Sequence, residues 1–180
     1  GKTVDISHND VSDLTDVTDN LLVLGTDQQK IDARNALSTS KGWYIKLENL
    51  GEKATSSVTV FNGVLYFTTY TPDDGTSSGG DPCVIVSGRG DARLYALNYK
   101  TGEAAFEYSD ETETDGEGNV VTQGKKDRCK VIGTSIASSP VIAVFRDGPQ
   151  IYIGVEGGVL TENPNVTASL NTYYWRQINN

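Results

Sequence analysis

"SSVTVFNGVLYFTTY", residues 56–70, is the stretch whose reading decides the fold. Two apolar runs flank Asn62-Gly63, the dipeptide best suited to the positive-φ positions of a two-residue hairpin turn. Further on, "SSPVIAVFRDGPQIYIGVE" (138–156) repeats the same order: Ser-Ser, an apolar strand, a turn at Arg146-Asp147-Gly148, and a second apolar strand with an aromatic. The separation from Ser56 to Ser138 fits about two repeats of roughly 40 residues, and pseudo-repeated short hairpins are the pattern of propeller blades. Two copies are too few to close a ring of four or more blades. The sequence therefore predicts a mainly β fold of antiparallel hairpins, propeller-derived but partial or incomplete, with one short helix near 27–40.

Outward from these hairpins the periodicity supports the same reading. "GWYIKL" (42–47) alternates Trp43, Ile45 and Leu47 against Tyr44 and Lys46, and "RLYALNYKTGEAAFEY" (93–108) predicts another strand pair around Lys100-Thr101-Gly102. The helix is "DQQKIDARNALSTS" (27–40), opened by the capping-box pair Thr26 and Gln29 and closed by Gly42. Its apolar face, Ile31, Ala33, Ala36 and Leu37, is narrow. Before it, residues 1–25 carry aspartates three apart and Thr and Val, all poor for a helix, and predict an irregular segment with at most one turn. The expected organisation is a 1–41 segment with the short helix, then a 42–180 propeller-like domain. Two polar inserts, 71–82 and 109–128, interrupt that domain as surface loops.

Composition narrows the function. The 180 residues are 37% apolar and 22% charged, with net charge −9, a mean hydropathy of −0.37 and pI near 4.5. A chain this acidic repels phosphate backbones and anionic headgroups, which argues against nucleic acid as a partner. No run reaches the roughly 18 apolar residues of a membrane span. The chain opens on Gly1 rather than Met, so an upstream leader or larger precursor is expected.

The residues that could carry chemistry are few. His8 is the only histidine and has no nucleophile motif near it, and no glycine-rich loop leads into Lys-Ser or Lys-Thr. No enzyme is expected, and no cofactor. In "DETETDGEGNV" (110–120), acids alternate up to Asp115-Gly116, but position 122, where a calcium loop closes with a bidentate acid, is Thr122. Weak calcium binding is the most that loop predicts. Cys83 and Cys129 either pair or remain two thiols. Pairing is the expectation, since closing a loop of roughly 45 residues stabilises by about 3–4 kcal/mol in the chain-entropy model, and it implies an oxidising compartment.

One long stretch also resembles a known family. Gly42 to Leu47, Gly51 to Lys53, Gly63 to Pro72, Cys83, and Leu94 to Gly102 follow the pattern of the C-terminal β-propeller region of the PilC/PilY family, adhesins and biogenesis factors associated with the type IV pilus tip. "LTDVTDN" (14–20) and "YYWRQI" (173–178) look like that region too. The family's Asp-rich calcium loop and its large N-terminal adhesive domain have no counterpart here. The resemblance implies an exported bacterial protein at the extracellular cell surface, a structural or adhesive component of a type IV pilus or pilus-like system. Its expected partners are pilin or other pilus subunits, or copies of itself in a filament. A filament subunit that coats a helical pilin core is the alternative. A fragment of a quinone-binding propeller dehydrogenase is a second, since "LYALNYKTGE" is similar to the repeat of those enzymes, but their vicinal cysteines and acidic metal ligands are missing. Arg89-Gly90-Asp91 spells an integrin-type cell-attachment signal. Its place just before Leu94 predicts the lead-in to a strand instead.

Overall fold

The hairpin at Asn62-Gly63 is present, and the rest of the chain is arranged around it. The computed structural model describes residues 11–72 and 90–164. In chain order these hold β1 (Leu14–Asp16), α1 (Leu21–Leu24), α2 (Asp27–Thr39), β2 (Gly42–Tyr44), β3 (Lys53–Ala54), β4 (Thr59–Phe61), β5 (Val64–Pro72) and β6 (Gly90–Asn98). There follow β7 (Glu113–Thr114), β8 (Val120–Val121), a 3₁₀ turn at Lys126–Arg128, β9 (Cys129–Gly133), β10 (Val141–Phe145), β11 (Gly148–Val155) and β12 (Gly158–Glu162). The protein is mainly β, with antiparallel main sheets and two helices among the described residues.

The central sheet is an antiparallel meander. β3 and β4 share one edge of β5, β5 pairs along its whole length with β6, and β9 lies on the far side of β6. Asn62 and Gly63 take φ of 47° and 81°, the left-handed pair that lets a two-residue turn follow the strand twist. β5 and β6 are buried on both faces, which is why "VLYFTTY" reads as a nearly continuous apolar run. One face carries Tyr66, Thr68, Leu94 and Ala96; the other carries Leu65, Phe67, Tyr95 and Leu97.

Each face meets a different part of the chain. Trp43, Ile45 and Leu47 pack on Phe67, Tyr95 and Leu97, so the predicted alternation of 42–47 holds although strand pairing stops at Tyr44. Ile151 and Ile153 of β11 pack on the Tyr66 face. β10, β11 and β12 form this second antiparallel sheet, and its third strand was not predicted. Superposing the two hairpin turns sets Phe61 on Phe145, Phe67 on Ile151 and Thr69 on Ile153. Corresponding faces therefore point the same way, and the layers stack head to tail. The two Ser-Ser pairs meet at the seam, where the Ser57 backbone N–H donates to Ser139 Oγ at 3.1 Å and Thr59 Oγ1 to the Pro140 carbonyl at 2.8 Å.

Several local expectations are corrected. α2 ends at Ser40, which is extended, and Gly42 opens β2 rather than capping the helix. β2 pairs in parallel with the unpredicted β1, joining residues either side of the expected boundary after 41. The strand pair expected over 93–108 has only its first strand. After the Gly102 turn (φ 70°) a single bridge, Leu97 to Ala104, forms. The chain then leaves the edge because Phe106 and Tyr108 turn into the core, Phe106 stacking 6.4 Å from Tyr66, and β9 takes the rest of the β6 edge. Within the central sheet Tyr66 is fully buried, and Phe67 and Tyr95 are 8% and 7% exposed.

Candidate functional site

The described residues bring their polar chemistry together on the Phe67 face of the central sheet. Glu52 is buried just before β3. Its Oε1 accepts from Thr69 Oγ1 at 2.6 Å and from the Tyr95 hydroxyl at 3.0 Å, and its Oε2 accepts from Asn49 Nδ2 at 2.5 Å. A buried carboxylate is tolerable when its lone pairs are filled in this way. Tyr95 stacks on Phe67 with ring centroids 4.8 Å apart, and burial pushes its phenol far above the usual range.

Beside Tyr95 lies Cys129, half-buried at the start of β9, with a free thiol in this structure. Burial pushes that thiol upward, against a hydrogen bond with Tyr95 that favours the thiolate. The two residues floor a cleft of about 310 Å³. One wall comes from Thr18, Ile45, Lys46, Glu48 and Asn49; the other from Glu113, Lys125, Lys126 and Arg128.

That second wall belongs to the acidic insert 109–128. It is not the freely solvated loop that its composition suggests, because three anchors hold it. At its base Asp127, 5% exposed, accepts from the backbone N–H groups of Tyr108 (2.8 Å) and Ser109 (2.7 Å) through Oδ1 and of Gly124 (2.8 Å) through Oδ2. At its tip the β7–β8 turn sits on the start of α2. Glu117 Oε1 accepts from the Asp27 backbone N–H at 2.7 Å, and Lys30 Nζ lies 2.7 Å from Asp115 Oδ2 and 3.5 Å from Glu117 Oε2. A carboxylate at a helix N-terminus is well placed, since the first turn leaves N–H groups without partners. The approach is close enough that a Cβ on Gly116 would fall 2.6 Å from the Thr26 backbone nitrogen. At the cleft mouth Lys125 Nζ reaches across to Glu48 Oε1 (2.8 Å) and Asp19 Oδ1 (3.6 Å).

Arg128 ties the insert to the N-terminal segment. It is 5% exposed, and its guanidinium donates to the carbonyls of Thr18 (2.8 Å) and Val17 (2.7 Å) and to Asn20 Oδ1 (3.3 Å). No carboxylate lies within ion-pair distance of it among the described residues, so carbonyl dipoles bear the charge.

The predicted site residues are scattered. Cys83 and Arg89 lie outside the described residues, as do His8 and the 173–178 motif. Gly90 and Asp91 open β6, paired with Pro72 and Thr71, and Asp91 forms an ion pair with Arg93 at 2.7 Å. A Cβ on Gly90 would lie 2.5 Å from the Thr71 carbonyl oxygen, which accounts for the glycine without a receptor. Asp115 of the candidate calcium loop organises its own turn, accepting from the N–H groups of Glu117 and Asn119. No cluster of three or more acids, cysteines or histidines suited to a metal occurs among the described residues. Sequence reasoning missed Glu52, Asp127 and Arg128. Their only signal was position, charged residues immediately beside a strand.

A second surface lies on the other side of the molecule. The face of the C-terminal sheet turned away from the core carries Val141, Phe145 and Val159, exposed by 60%, 46% and 66%, together with Tyr152, which meets Phe145 edge-on. Fold and surfaces together define a protein of head-to-tail stacked antiparallel sheets. No family model, no curated protein and no solved structure matches the chain. Among the described residues no helix is long and apolar enough to cross a membrane.

Proposed function

We propose that this chain is a non-catalytic structural and adhesive module of a type IV pilus or pilus-like surface system, exported and built on a partial propeller. The outer face of its C-terminal sheet takes the next protein layer. The observation that carries this reading is that face itself: the corresponding face of the preceding sheet, with Tyr66 and Leu94, is buried by the chain's own next layer, whereas Val141, Phe145 and Val159 are left open. An exposed apolar patch on an otherwise acidic protein marks an interaction surface. The occupant is a pilus subunit presenting an apolar sheet or helix face, in keeping with the resemblance of residues 42–102.

The test is fractionation in a host that assembles such filaments. The chain is expected to co-purify with sheared surface filaments, and the double variant Val141→Lys, Phe145→Lys is expected to be exported yet lost from them. Retention of that variant at the native level would refute the docking face. Confinement of the native chain to the cytoplasm would refute the pilus assignment. A filament coat differs from a tip module in copy number, so quantifying chains per pilin separates the two.

A further inference from the structure

The insert 109–128 has more structure than a surface loop needs. Its tip is pinned to α2 by Lys30, Asp115 and Glu117, and its Lys125 spans the mouth of the cleft to Glu48. Beneath it sits the Cys129 thiol, with Tyr95 as its neighbour on the cleft floor. The base at Asp127 is buried, with its oxygens satisfied by three backbone donors; the mouth is held by Lys125 with the exposed Glu48 and Asp19, and the tip by the more covered pair of Lys30 with Asp115. The exposed ion pairs at the mouth contribute little each and weaken as salt screens them, and the covered pair at the tip is screened less. A segment with a firm base and a weakly held mouth opens locally without unfolding the sheet beneath it.

We propose that residues 109–128 form an ion-paired strap that closes the cleft over Cys129, latched to α2 by Lys30 and barred at the mouth by Lys125, so that opening of the strap sets access to the thiol. A reagent or a partner thiol arriving from solvent passes between Glu48 on one wall and Lys125 on the other. Gly116 belongs to the same device, since a side chain there would lift the tip from Thr26.

The experiment follows alkylation of the full chain, kept reduced, with iodoacetamide, reading the Cys129 peptide by mass mapping. The double variant Lys30→Met, Lys125→Met is expected to be alkylated about tenfold faster, the effect of losing the tip latch and the bar at the mouth together, while amides of β5 and β6 keep their native hydrogen-exchange protection. An unchanged rate overturns the proposal. So does a faster rate accompanied by loss of β6 protection, which would mean general loosening. Raising the ionic strength from about 0.02 to about 0.5 M on the native chain is a second arm that needs no substitution. It should also accelerate alkylation, and no acceleration overturns the strap if the variant does not fold.

Discussion

At the scale of single residues, the interior holds polar groups whose partners decide their cost. Glu52, Asp127 and Thr69 are buried with their acceptors or donors engaged. Three buried polar atoms among the described residues lack a hydrogen-bond partner, Asn20 Nδ2, Arg128 Nε and the hydroxyl of the fully buried Tyr66, and burial alone drives the Tyr66 phenol far upward. An orphaned buried hydroxyl costs about 1–3 kcal/mol, so Tyr66→Phe is expected to raise stability by about 1 kcal/mol. The midpoint of urea unfolding reads this directly, and a lower midpoint would reveal a partner for the hydroxyl. None of these residues was legible in the sequence. "NLGEKA" around Glu52 reads as a polar turn, and only the folded chain brings Thr69 and Tyr95 to it. Burial of a charge depends on residues distant in sequence, whereas hydrophobic period depends on neighbours.

At the scale of elements, what the sequence announced were the features that are local in cause. Thr26 and Gln29 form the reciprocal cap, Asn62-Gly63 makes its turn, and Arg146-Asp147 makes the second. Elements with remote causes were missed: β1 exists because β2 passes beside it, and the second strand of 93–108 is absent because Phe106 has a better place in the core. The docked tip of the strap is of the same kind, since nothing in "DETETDGEGNV" names α2. Its electrostatics give a prediction. The Lys30 ammonium, with further help from the Asn119 N–H, holds the Asp115 carboxyl well below the usual range, and Asp115 in turn raises Lys30. A carboxyl depressed in the folded state binds protons more readily when unfolded. Its stabilising effect is therefore complete above about pH 4 and fades as pH falls below that toward the folded value. In Lys30→Met the Asp115 titration, followed by carboxyl carbon NMR, should move upward toward the ordinary range. The same variant should also lose less stability than the native chain between about pH 4 and pH 2. An unmoved titration would mean that the turn N–H groups, not Lys30, hold the carboxylate.

At the scale of the whole molecule, both faces of the central sheet are used, one by the 43–47 segment and one by the C-terminal sheet, and the stack ends on an open apolar face. A covalent tie is proposed on top of this packing. Cys129 begins β9, and Cys83 lies in the β5–β6 connection, so a bond between them would link that connection to the sheet edge. In oxidising conditions intact mass after alkylation should show both cysteines blocked until reductant is added. Two alkylated thiols without reductant would rule the bond out and leave Cys129 to the strap. The anchoring of the N-terminal segment has one more consequence, which concerns timing. Arg128 holds the carbonyls of Val17 and Thr18 across a sequence separation of 110 residues or more. At about 5–20 residues per second, the ribosome takes roughly 5–20 s to make that stretch. For that interval Val17 to Asn20 lack the side chain that fixes them. This segment is made early and secured late, so a chaperone or a secretion machinery that keeps chains unfolded has a long interval in which to engage it.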